Sequence, residues 1–144
     1  MKRLLGFSLA LHAVLAGCAG VLVIDQATVL LGLSTWSLDL GSLSFARIGF
    51  VAALVIHLLL MLVEKKLAPK NREKEFHRAA SLITHGPYAK RHWGVSIGLG
   101  VILPLIMLLL GIPILLIPAG IFALIGLVNE EDLFVKAGQA LPIS

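Results

Sequence analysis

Charge is what this chain has least of. Asp, Glu, Lys and Arg make up 14% of its 144 residues, where water-soluble domains carry about 25%, and the mean hydropathy is +0.98. That composition excludes an ordinary soluble domain. Cysteine is nearly missing too. Cys18 stands alone, so there is no internal disulfide and no paired-cysteine motif for a metal ion or iron–sulfur cluster. No Walker-type phosphate loop, nucleophile elbow or His-Glu-x-x-His pattern occurs, so the sequence offers no motif for nucleotide binding or hydrolysis. Neither catalytic residues nor metal ligands are assigned at this level.

What the chain does have is long uncharged runs. Lys2 and Arg3 precede the first, Leu4 to Ile24. As a helix it reaches about 32 Å, enough for a hydrocarbon core of about 30 Å. A charged start, an apolar run and then Leu15-Ala16-Gly17-Cys18 also reads as a bacterial lipoprotein signal with Cys18 acylated. The chain stays apolar from Ala19 to Ile24, however, and His12 interrupts the run, so a retained span is expected. Gly6 and Ala10, Ala13 and Gly17, and Ala16 and Gly20 recur at the spacing that lets helices approach closely in lipid. Asp25 to Ala46 is mixed and reads as a loop on the outer face, with Trp36 at the interface. Ile48 to Val63 is uncharged again, with Arg47 placed to snorkel at its outer end.

Gly94 to Val128 is uncharged throughout. One helix of that length would be about 52 Å, too long for a single crossing. Gly111-Ile112-Pro113 divides it, because Gly ends and Pro begins helices well. Pro104 and Pro118 are expected to kink the two arms, and Gly94 with Gly98 gives another close-packing pair.

The expected fold is therefore an all-α membrane protein, a four-transmembrane-helix bundle with helices near 4–24, 46–63, 94–110 and 113–130. Residues 64–93 read as a basic loop. Of the 12 Lys and Arg, eight lie in that loop, two at the N-terminus, one at Arg47 and one at Lys136. Basic residues stay on the cytoplasmic side of a span, which places both termini inside, in a multi-pass protein of a prokaryotic cytoplasmic membrane. The net charge of +4 and pI near 9.6 then report orientation and contact with lipid headgroups rather than nucleic acid.

His85-Gly86-Pro87-Tyr88-Ala89, then Trp93, then a glycine-rich span containing Pro104 resembles the NrfD/PsrC family. So do the span of His57 ending in Glu64 and the closing Phe134-Val135 and Ala137-Gly138-Gln139. These are the integral-membrane subunits of polysulfide, nitrite and related reductases. The similarity covers roughly residues 45 to 140 and corresponds to the C-terminal part of the family. It implies a quinone-binding subunit (menaquinone or ubiquinone) without a redox metal of its own. It also implies an iron–sulfur partner joined to a molybdopterin or cytochrome catalytic subunit. The family's quinone pocket is built mainly from an N-terminal bundle that this chain does not show. Further membrane helices, from a second half-bundle or from another copy of the chain, are therefore expected partners.

His57 is the most pointed residue, because an ionisable group within an apolar run is a functional candidate by default. Glu64 lies seven residues on, on the same helical face, and the two are candidates for a proton path; a neutral packing histidine is the bland alternative. His12 sits at a similar depth in the first span, so His12 and His57 are also candidate ligands of a haem b, against two independent packing histidines. Lys65, Lys66, Arg72, Tyr88, Arg91 and Trp93 are candidates for docking an extrinsic subunit, against headgroup contact and an aromatic belt. Glu130, Glu131 and Asp132 are expected at a helix C-terminus, where acids oppose the dipole, paired with the basic loop.

Overall fold

The computed structural model describes residues 2–33, 40–64 and 73–140, and nearly all of them are helical. α1 is Lys2–Leu30, α2 is Leu40–Glu64 and α3 is Glu73–Thr84. α4 (Ala89–Arg91), a π-helical stretch (His92–Ile102) and α5 (Leu103–Leu109) follow one another without a break. After a 3-10 turn at Pro113–Leu115, α6 runs Leu116–Gln139. Four segments are long and apolar enough to cross a membrane: Phe7–Leu30, Leu43–Val63, Ala89–Leu109 and Pro113–Gln139. The expected all-α fold is present, with four helices of the length and apolarity a span needs.

The element ends differ from expectation in instructive ways. Asp25 does not open a loop: α1 continues through it to Leu30, with Asp25 and Gln26 buried. The stop comes at Gly32, whose φ of +72° needs a residue without a Cβ. Leu33 N–H then closes back on the Thr28 carbonyl at 2.9 Å, a glycine-capped helix end. The basic segment is not all loop, because α3 occupies much of it. Phe76, Ala79, Ala80 and Ile83 recur there at helical spacing among Lys74, His77 and Arg78.

Between α3 and α4, Gly86 N–H bonds the Ser81 carbonyl at 2.8 Å. A Cβ on Gly86 would lie 2.8 Å from backbone atoms of Leu82, so the glycine of His85-Gly86-Pro87-Tyr88 is there for a close chain approach. Pro104 is buried just after the π-helical stretch. Leu103 N–H reaches back five residues to the Gly98 carbonyl, so wider winding accommodates the proline's missing donor. Pro118 is the third residue of α6, where an absent N–H costs little; it is no mid-helix kink. Gly111, at φ +69°, makes the hairpin turn as expected.

α1 packs on α2 and on α6, and α6 packs on the third span. Core stripes run along each helix: Leu11, Leu15, Ala19 and Leu22 on α1; Phe50, Ala53, Leu54, His57 and Met61 on α2; Leu116, Ala119, Ala123, Leu133 and Ala137 on α6. The outward surface is apolar, with Phe45, Ile48, Leu109 and Val128 well exposed, while His57, Ser96, His92 and Asn129 are inside. That polarity suits lipid as the surrounding solvent.

In lipid, helices associate through close contact of small residues, but the residues used here are not the expected ones. A Cβ on Gly17, Gly20 or Gly94 would meet nothing within 4 Å. Backbones instead touch at Gly100 and Gly126, and at Ala19 and Gly120. Gly49 faces Cys18, which sits within the continuous helix α1. Arg47 lies inside α2 with Nη2 buried and lacking a hydrogen-bond acceptor among the described residues.

Candidate functional site

His12 of α1, His57 of α2 and Glu130 and Glu131 of α6 come together towards the end of the bundle where α3 packs on α6. His57 follows Phe50, Ala53 and Leu54 on the buried face of α2. Glu130 follows Ala123 and Gly126 on the buried face of α6, and its side chain is 16% exposed against 6% for His57. Their Nε2 and Oε2 atoms are 2.8 Å apart. The oxygen approaches off the ring N–H direction, so among the described residues Glu130 Oε2 is buried at ion-pair distance without an aligned hydrogen-bond donor.

The His12 ring meets the His57 ring edge-on, with centroids 5.0 Å apart and planes at 76°. Its Nδ1 lies 2.7 Å from Glu131 Oε1, and that carboxylate is half exposed. The four groups make a continuous file, Glu131–His12–His57–Glu130, from the surface to the interior. His12, His57 and Glu130 each offer a ligand atom, all within 4.8 Å of one another.

The file ends on a cavity. A space of about 150 Å³ lies between α2, α3, the start of the third span and α6, walled by Met61, Ile83, Leu133 and Phe134, with Glu130 and His92 as polar groups. A more open groove, lined by Leu62, His77, His85 and Trp93, flanks α3 on its other side.

A second polar cluster locks α6 to the third span. Asn129 Oδ1 accepts from Arg91 Nη2 at 2.6 Å and from Nε at 3.1 Å. Asn129 Nδ2 donates to Ser96 Oγ at 2.9 Å. Arg91 also reaches Asp132 at 3.1 Å, as does Lys136 at 2.7 Å. Buried polar groups need such partners, and here one asparagine of α6 bonds both α4 and the π-helical stretch.

Of the residues singled out in the sequence, His12 and His57 are brought together. Arg91 turns inward to Asn129 and Asp132. Trp93 donates its indole N–H to the Thr84 carbonyl at 3.1 Å, tying the third span to α3. Tyr88 is half-buried at the start of α4. Lys65, Lys66, Arg72 and the side chain of Glu64 lie outside the described residues. The carboxylate that meets His57 comes from another helix, as Glu130. Glu130, Glu131 and Asp132 are not at a helix end either, since α6 continues to Gln139. Among the described residues, Asp132 is the one that pairs with the basic segment, through Arg91, while the two glutamates take the histidines. A run of acids inside an otherwise apolar segment was the signal for them.

No protein-family model, curated protein or solved structure matches this chain.

Proposed function

We propose that this chain is a membrane subunit of a quinone-linked redox complex of the NrfD/PsrC type. The α3 end of the bundle faces the cytoplasm, where the basic residues cluster. An isoprenoid quinone, menaquinone or ubiquinone, slides its head from the lipid into the apolar cavity at that end. Glu130 and His57 stand where the quinone oxygens gain or lose protons, and Glu131 and His12 connect them to the surface. The electrons pass to or from an iron–sulfur subunit held against the basic face, which in turn serves a molybdopterin or cytochrome subunit. The chain itself acts as anchor and as the wall of the quinone and proton site.

One observation carries this reading: an apolar cavity within the bundle is lined by a largely buried carboxylate in contact with a buried histidine. Ionisable groups at such depth mark functional sites, and an apolar pocket with few convergent polar groups is the usual form of a small-molecule site. The motifs from His85 to Trp93 and from Phe134 to Gln139 supply the redox context. A b-type cytochrome needs a porphyrin between its histidine ligands. At 5.0 Å and in edge contact, His12 and His57 would have to part to admit one, so the haem reading ranks second.

The test is extraction in mild detergent followed by identification of what stays bound. Quinone at near one equivalent, with iron–sulfur and molybdenum or cytochrome subunits in the same fraction, supports the proposal. A Soret band lost in His57→Leu points to haem instead. A solitary, colourless and quinone-free chain refutes the proposal and leaves a scaffold or transporter.

A further inference from the structure

We propose that His12, His57 and Glu130 form a binding site for a divalent transition-metal ion, with Zn²⁺ the best-matched. The three residues come from three helices, and their ligand atoms converge within 4.8 Å. Two imidazoles and one carboxylate are the donor set of three-ligand zinc sites, which keep a fourth position for water. Imidazole selects against Mg²⁺ and Ca²⁺, and the lack of a thiolate selects against Cu(I).

The second observation is the placement of Glu130 Oε2. It is buried, and it sits 2.8 Å from His57 Nε2 without lying along the N–H direction. Donor and acceptor atoms that hydrogen-bond point at each other; these two lie side by side, as ligands of one ion do. Ligands about 2.0–2.2 Å from a tetrahedral zinc are themselves about 3.3 Å apart. A spread from 2.8 to 4.8 Å closes onto one ion with side-chain shifts of about 1 Å.

The surroundings fit the same assignment. Glu131 holds Nδ1 of His12 at 2.7 Å, the carboxylate–histidine pairing that orients a metal-binding ring and leaves its Nε2 for the ion. Charge agrees as well. Glu130 and Glu131 bring two negative charges into a membrane-spanning segment, where uncompensated charge is costly, and one dication with two neutral imidazoles cancels them. The outer carboxylate is half exposed and gives the ion a route in. This inference shares Glu130 and His57 with the quinone reading, but it rests on the convergence of three ligand atoms and not on the cavity, so either can fail alone.

The experiment is metal titration of the purified full chain in detergent after chelator treatment, by calorimetry for Zn²⁺ and by visible absorption for Co²⁺. The expected result is one ion per chain and an intense four-coordinate Co²⁺ band. Glu130→Gln and His57→Ala should each weaken binding at least tenfold. Glu131→Gln should weaken it about tenfold through the outer carboxylate, and His85→Ala should change nothing. Glu130→Gln is close to isosteric, and retained helicity by circular dichroism shows that the fold survives. Binding that is equally strong in Glu130→Gln and His57→Ala, or no stoichiometric binding at micromolar Zn²⁺, overturns the site. Loss of quinone from the extract with metal binding intact would remove the proposed function and leave this site standing.

Discussion

Replacing Gly126 by alanine tests the packing that positions the site. Gly126 of α6 and Gly100 of the π-helical stretch meet backbone to backbone. A Cβ on Gly100 would lie 2.5 Å from Gly126 Cα, and one on Gly126 would be closer still to Gly100 Cα. Carbon atoms rest at about 3.5–4.0 Å, so the added methyl forces the two helices apart by about 1 Å. No flexible side chain is present to yield. Overpacking costs about 1–3 kcal/mol, and a clash between two backbones belongs at the upper end. About 3 kcal/mol is a shift of roughly a hundredfold in the folding equilibrium. The assay is unfolding in mixed micelles of rising dodecyl sulfate content, followed by circular dichroism. Gly17→Ala serves as the control, because a Cβ there meets nothing within 4 Å. Equal midpoints for Gly126→Ala and Gly17→Ala would refute the close crossing of α6 and the third span.

Other outcomes follow from single contacts. Asn129→Leu removes the acceptor of Arg91 and the donor to Ser96 and should cost about 1–3 kcal/mol in the same unfolding assay, since a buried polar partner is left bare. Gly86→Ala should disturb the link between α3 and α4 and raise protease cleavage there, because its Cβ would lie 2.8 Å from the Leu82 backbone; an unchanged digestion pattern would count against that turn. On the proposed quinone-subunit function, His57→Leu should slow quinone turnover while the proposed partner subunits still co-purify, and unchanged turnover would remove His57 from the proposed proton path. In a Cys18→Ser background, a cysteine placed at Lys74 should react with an impermeant maleimide only in inside-out vesicles; labelling in sealed cells would reverse the proposed orientation.

Much of the architecture was legible from composition alone. A chain with runs such as Leu4–Ile24 and Gly94–Val128 has to bury its backbone hydrogen bonds in helices once it is in lipid. Gly111-Ile112-Pro113 marked its own turn. The helix ends were harder, because Asp25 and the acids after Asn129 look like span boundaries. Each of these groups is accommodated inside a helix by burial or by a partner on another helix, which local composition does not register. α3 was hidden because its basic residues dominate the average of a segment whose apolar residues keep a helical period.

The sequence by itself determined that there are four helices long and apolar enough to cross a membrane, and which residues, His57 above all, stand out within an apolar run. Only the tertiary structure decided that His57 meets Glu130 of α6, and that His12 meets Glu131 across 119 positions of chain. Periodicity gives each helix an inward face but not the neighbour that face will touch. That choice rests on how far each helix is rotated about its axis, and it is made where backbones come into contact, at Ala19 with Gly120 and at Gly100 with Gly126.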